Sequence, residues 1–286
     1  MDALRAAYTE TDSDSDGDAA QSEPTALPPP PLSLLQPPNS VAVAGAAFDF
    51  PTQIESNHSN RVRSFPHVEG NYALHIYIPI MIPLAARKEI SLFLKRIASA
   101  SNELHAVDVD IPFSNLINDG QKFEKIVLGR EFHVSLGRTV PIRVHQRDSM
   151  VSMLRQRLLQ SQRRYWINFD KWEVFVNDEG TRTFLSLEVI GGGLAEIRKQ
   201  IECVNEVYRL HNLPEFYKDP RPHISVAWAS GDITASLKRA IAEEDIRIQK
   251  EGQTRRGRIF SCVFGGISCK IGNKTYELCK PQQEQQ

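Results

Sequence analysis

Pro222-His223-Ile224-Ser225-Val226-Ala227-Trp228 is the stretch on which the reading of this chain turns. Apolar and hydrogen-bonding residues alternate through it, the pattern of a half-buried strand. Side chains along a strand point to opposite faces in turn, so His223 and Ser225 share one face while Ile224 and Val226 point into a core. An imidazole and a hydroxyl thus stand side by side on a rigid element. Upstream, Glu131-Phe132-His133-Val134-Ser135-Leu136 repeats the His-apolar-Ser-apolar pattern. With eight histidines in the chain, fewer than one His-x-Ser triplet is expected by chance, and two within strand patterns are rarer still. Either strand alone reads as a core strand with a hydrogen-bonded histidine. The pair points to a site.

Outward from these strands the chain falls into two similar halves. In the first, Ala73–Pro79 alternates as a strand, and Ile90, Phe93, Leu94 and Ile97 mark an amphipathic helix over 85–101. After the loop at Asn118-Asp-Gly120 and the first His-x-Ser strand, Asp148 is placed to cap a helix running to about Gln162. In the second, strands are expected at Trp166–Val176 and Arg182–Ile190, joined by the turn Asn177-Asp-Glu-Gly180. Gly191-Gly-Gly193 reads as a turn opening a helix to His211, without the fingerprint of a dinucleotide site. A further helix over 233–244 and strands near 259–264, 268–271 and 275–279 complete the chain. Strands and helices so ordered give an α+β class with internal pseudo-symmetry, two lobes at about 61–163 and 164–286.

Charge is uneven along the chain. Residues 1–60 hold nine acidic residues and one basic residue, Arg5, leaving 33 basic against 26 acidic in residues 61–286. The first 60 residues, with the run Asp12–Asp18 and the prolines Pro28–Pro31, read as a disordered solubilising tail. The basic body behind them is compatible with a polyanionic ligand. Cys203, Cys262, Cys269 and Cys279 form no C-x-x-C pair, so reduced thiols and no metal site are expected. No stretch approaches a membrane span and the acidic N-terminus is no secretory signal, which leaves cytoplasm or nucleus.

Two imidazoles facing each other across a groove make a concerted acid–base pair. A free imidazole titrates near pH ~6.5, so one ring can be neutral while the other is protonated. The neutral ring takes a proton from an attacking hydroxyl and the cationic ring gives one to the leaving oxygen; either histidine can fill either role. Serines two residues on can donate to the non-bridging oxygens where transition-state charge concentrates. This chemistry suits in-line phosphoryl transfer without a metal or cofactor. Tyr217, six residues before His223, offers a base-stacking face worth about 1–3 kcal/mol. Arg61 and Arg63, and the basic Thr254-Arg-Arg-Gly-Arg258 run, are candidate phosphate contacts, with solvated surface charge as the plainer reading. His67 and His75 are read as structural.

Paired His-x-Ser/Thr strands resemble those of the 2H phosphoesterases. The likeness narrows to the U6 small nuclear RNA phosphodiesterase (Usb1) family through Arg61-Val-Arg-Ser-Phe-Pro-His67 with Gly70-Asn71, Phe132–Leu136, Thr181-Arg-Thr-Phe184 with Leu187-Glu188-Val189, Phe216-Tyr217 before Asp219-Pro220, His223–Trp228, and Cys269-Lys270 with Gly272-Asn273-Lys274. It covers about residues 61–280 in order. The resemblance implies the 2H phosphoesterase fold and a nuclear, metal-independent 3′–5′ exoribonuclease. Such an enzyme trims the oligouridine tail of U6 RNA and leaves a 2′,3′-cyclic phosphate. It further implies His133 and His223 as acid–base pair and Ser135 and Ser225 as phosphate binders. Tyr217, Asp219, Pro220, Arg221, Pro222, Val134, Ile224 and Asp178 would form the nucleotide site. The expected partner is a single-stranded RNA 3′ end, taken up by a monomer. Two other readings stand beside it: a cyclic phosphodiesterase on small 2′,3′-cyclic nucleotides or tRNA ends, and a non-catalytic RNA-binding protein.

Overall fold

The structure, a computed structural model, describes residues 68–100, 104–250 and 257–281. The acidic tail, Arg61, Arg63, His67 and residues 254–256 of the basic run lie outside the described residues.

Strand β1 (Asn71–Met81) forms where the sequence alternates. Leu74, Ile76, Ile78 and Ile80 are buried, and His75, Tyr77 and Pro79 take the other face. Helix α1 (Leu84–Ala100) buries Ile90, Phe93, Leu94 and Ile97, one stripe of a 3.6-residue period. The first half continues through β2 (His105–Ala106), α2 (Gly120–Phe123), a π-helical turn at Glu124–Leu128, β3 (Glu131–Ser135), β4 (Val140–Arg143) and α3 (Arg147–Leu158). The second half holds β5 (Trp166–Phe169), β6 (Lys171–Val176), β7 (Arg182–Glu188), α4 (Leu194–Leu210), β8 (His223–Ser230), α5 (Thr234–Lys250), β9 (Phe260–Val263), β10 (Ile267–Ile271) and β11 (Lys274–Cys279). Among the described residues no helix is long and apolar enough to cross a membrane.

Three expectations are corrected. Trp166–Val176 is two strands rather than one. The chain breaks at Asp170, whose carboxylate accepts from the Gly191 amide at 2.9 Å, and β5 and β6 enter different sheets. Asp148 lies inside the first turn of α3 beside Arg147; Gln146 precedes the helix, and its side chain accepts from the Arg143 amide at 2.8 Å. Helix α5 runs to Lys250, well past 244.

All strand pairs are antiparallel. One sheet runs β11-β10-β1-β3, with β4 pairing the start of β1; a second runs β2-β8-β7-β6; β5 and β9 form a third. With helices α1–α5 this is an α+β architecture. Each large sheet draws on both halves of the sequence. Strands β10 and β11 return to β1, while β2 joins β8. Halves divided near residue 163 therefore exchange strands, which covers the edge that β1 would otherwise present. Strands β3 and β8 belong to different sheets yet approach to within 8 Å between Cα atoms.

Candidate active site

The approach of β3 to β8 brings the two His-x-Ser strands together. On β8, His223 and Ser225 alternate with fully buried Ile224 and Val226. The His223 Nδ1 lies 2.7 Å from the carbonyl of Arg221. A carbonyl only accepts, so Nδ1 carries a proton and Nε2 is the atom left to exchange one. The Phe175 ring stacks on the imidazole, centroids 3.9 Å apart at 12°. Burial lowers the pKa of His223; the Arg221 carbonyl and the Glu188 carboxylate oppose that shift, while a charge on His133 adds to it.

Arg221 is itself fixed. Its Nε and Nη2 donate to the two carboxylate oxygens of Glu188 at 2.6 and 2.7 Å, and Nη2 also donates to Glu173 at 2.9 Å. Its guanidinium covers the Phe175 ring at 4.8 Å. Glu188 is 4% exposed, and its hydrogen bonds are the first cause of the raised Arg221 pKa. Burial works against ionisation of Glu173, but Lys171, the Val174 amide and Arg221 outweigh it and hold the carboxyl at about 2. Such a bidentate pair restrains the main chain at Arg221, and through it the imidazole plane.

On β3, His133 and Ser135 alternate with buried Phe132 and Val134. The His133 ring meets His75 edge-on at 4.8 Å and Tyr77 at 5.8 Å. The Nε2 of His75 lies 3.0 Å from Ser135 Oγ. Burial first, then the neighbouring His133 and Lys270, push the His75 pKa down to about 3. In the other sheet, Ser225 Oγ lies 3.2 Å from Ser186 Oγ, and Ser186 is fully buried. A bulge between Leu185 and Ser186 lets Ser186 pair with Ser225 directly.

Tyr217 is 47% exposed, on the loop that delivers the chain to β8. Its hydroxyl donates to Asp178 at 3.1 Å, and the Arg138 guanidinium covers its ring at 4.1 Å. Arg138 also donates to Asp178 at 2.8 Å and to the Glu215 carbonyl at 3.2 Å. The loop after β3, the turn after β6 and the loop before β8 therefore meet at one cluster, with one ring face of Tyr217 already occupied. Asp219 is exposed and paired with Arg198 at 3.4 Å, while the Pro222 carbonyl accepts from Val189 at 2.9 Å. Pro220 stands between them.

The structure thus gathers His133, His223, Ser135 and Ser225 on adjoining strands, and Tyr217 with Asp178 on adjoining loops. Val134 and Ile224 turn their side chains into the core. The Arg221 guanidinium is held by two carboxylates, and its carbonyl meets the His223 ring. His75, Ser186, Glu188, Phe175 and Arg138 touch the candidate site residues, and periodicity did not single them out. Only the place of His75 on the polar face of β1 could have pointed to it.

A family model called HVSL, described as an uncharacterised conserved protein, matches residues 28–279 and so begins upstream of the boundary drawn at residue 61. The U6 snRNA phosphodiesterase 1 of Mus musculus is 30% identical over 251 residues, covering 87% of this chain and 85% of the relative. That of Danio rerio is 33% identical over 227 residues, covering 79% and 72%. Among solved structures, Kluyveromyces marxianus Usb1 superposes with a TM-score of 0.47 at 13% identity, covering 72% of this chain and 97% of that one.

Proposed function

This chain belongs to the HVSL family and to that of the U6 snRNA phosphodiesterase 1 proteins, and from that premise we propose that it trims the 3′ end of U6 snRNA as a metal-independent 3′–5′ exoribonuclease. The observation that carries the reading is the approach of β3 to β8, each bearing a histidine and, two residues on, a serine with a polar partner at hydrogen-bond distance behind it. The family premise supplies the RNA phosphodiesterase activity. The oligouridine preference and the cyclic end product belong to the proposal.

In the proposed step the 2′-hydroxyl of the penultimate nucleotide attacks the adjacent phosphorus. One imidazole removes the 2′ proton; the other protonates the 5′ oxygen of the departing nucleoside, and the ring formed is a 2′,3′-cyclic phosphate. The step leaves the base protonated and the acid neutral, so water takes a proton from one ring and returns one to the other before the next cycle. Ser135 and Ser225 donate to the non-bridging oxygens. The open face of Tyr217 stacks the terminal base. Asp178, already shared between Tyr217 and Arg138, keeps that ring in place. The main chain at Val134, Ile224 and Asp219–Pro222 lines the nucleotide. This role places the protein in the nucleus, upstream of splicing.

The test is mass spectrometry of oligouridine-tailed RNA after incubation with the protein. Shortened chains ending in 2′,3′-cyclic phosphate are expected. His133→Ala and His223→Ala should each lose roughly 10²–10⁴-fold in rate. A 2′-O-methyl group on the penultimate ribose should block the step, and EDTA should leave it intact. Full cleavage of the methylated substrate would sink the mechanism.

A further inference from the structure

Ser135 has one hydroxyl proton and two claims on it. The proton can go to the imidazole nitrogen of His75, 3.0 Å away, or to a phosphate oxygen in the groove. If His75 Nε2 is a bare acceptor, it captures the proton and Ser135 shows only lone pairs to an anion. If Nε2 carries its own hydrogen, it donates to Ser135 Oγ, and the serine proton is free for the phosphate. The two tautomers of one part-buried ring thus decide whether Ser135 attracts or repels the substrate.

We propose that His75 is a positioning residue for the transfer reaction. As a neutral Nε2–H tautomer it donates to Ser135 Oγ and thereby aims the serine proton at the non-bridging oxygen. The inference deepens the phosphodiesterase reading of the same site and rests on it. His75 lies on β1 next to β3, where Tyr77 is the direct partner of Ser135 and His75 its diagonal neighbour, within reach of an imidazole. Its ring edge packs against His133, so a second positive charge there would stand beside the acid–base pair. Burial and the charges of His133 and Lys270 keep it neutral. The other phosphate-facing serine has the same kind of support, since Ser186 Oγ backs Ser225 from β7. Each half of the site therefore sets a polar group from a neighbouring strand behind its hydroxyl. On the β1 side that group is a third histidine, one that takes no part in proton transfer.

Two measurements on the full chain test this. Imidazole nitrogen NMR reads the tautomer without any substrate. His75 is expected as one neutral Nε2–H species from about pH 5 to about 8; a bare Nε2 overturns the proposal whatever the enzyme does to RNA. The second measurement compares oligouridine with a single phosphorothioate of either configuration at the terminal linkage. Wild-type protein should disfavour one diastereomer, the one whose sulfur replaces the oxygen facing Ser135. His75→Phe should lower kcat/KM roughly 10- to 100-fold on the ordinary substrate and erase that preference. His75→Gln, whose amide nitrogen reaches about as far as Nε2, should recover most of both. Thermal unfolding of each variant separates a lost hydrogen bond from a lost fold. An unchanged diastereomer preference in folded His75→Phe overturns the inference. Absence of trimming by wild-type protein, with the Nε2–H signal present, would overturn the exoribonuclease reading instead.

Discussion

Two imidazoles in this protein have pKa values below that of the free ring, for different reasons. His75 is enclosed beside other cationic groups, and His223 is stacked on Phe175 beneath a carbonyl acceptor. As pH falls through about 6.5 the unfolded chain therefore takes up these protons before the folded chain does. The sign is therefore a loss of stability on acidification, beginning near pH 6.5 and extending for His75 down to about 3. Each such histidine contributes up to about 1.4 kcal/mol per pH unit. Midpoints of thermal unfolding should fall as pH drops below about 6.5, and His75→Phe should flatten that slope; parallel slopes would show that His75 titrates normally. Arg221 carries a second expectation at this scale. Removing its guanidinium leaves Glu188 buried and unpaired, so Arg221→Ala should cost about 2 kcal/mol in urea denaturation, less than for a fully buried pair because Arg221 is partly exposed. Adding Glu188→Gln should restore part of that loss. The four residues of the two His-x-Ser motifs were legible because alternation within a single strand reveals them. His75, Ser186 and Glu188 were not, because each acts on a neighbouring strand, and strand register is a property of the sheet rather than of any local window.

Among the elements, most strands and helices fall where hydrophobic periodicity puts them, and each miss has its own local cause. In the run Trp166–Val176 the alternation slips at the adjacent polar pair Asp170-Lys171, and there β5, which pairs with β9, gives way to β6, which pairs with β7, because Asp170 turns the chain between sheets. The short strand β4 escaped notice because Val140–Arg143 holds a proline and only two buried residues. The glycine turn before α4 was legible as a turn, and its conformation gives the reason. Gly193 has φ +88°, and a Cβ there would lie 2.8 Å from the Trp166 carbonyl oxygen. Gly180 is also left-handed, φ +66°, but open to solvent on the side a Cβ would take. Gly193→Ala should therefore destabilise by more than the roughly 1–2 kcal/mol that a left-handed alanine costs, and Gly180→Ala by about that amount alone. Denaturant midpoints of the two variants decide it; equal losses would mean that the Trp166 contact relaxes freely.

Across the whole molecule the chain crosses between its two large sheets several times, and β10 and β11 come back from the far end of the sequence to pair with β1. Such long-range pairing ties the sheets into one cooperative unit. Deleting residues 266–286 should abolish the cooperative thermal transition rather than trim an edge, as circular dichroism would record; a sharp transition in the shortened chain would contradict this. The exchange was not legible beforehand, because two similar halves suggest two separate lobes and no local signal announces that strands will be traded. The partition between sheets has a further result for turnover. His133 and His223 stand on strands with no hydrogen-bond ladder between them, so side-chain packing sets their separation. A ladder moves in whole residues, whereas packing yields by tenths of an ångström when a methylene is gained or lost. Proton transfer feels displacements of that size. For the proposed proton transfer, substitutions deep in the shared core would therefore retune turnover by small steps while the fold persists, a graded control over rate that the chemistry of two imidazoles alone does not offer.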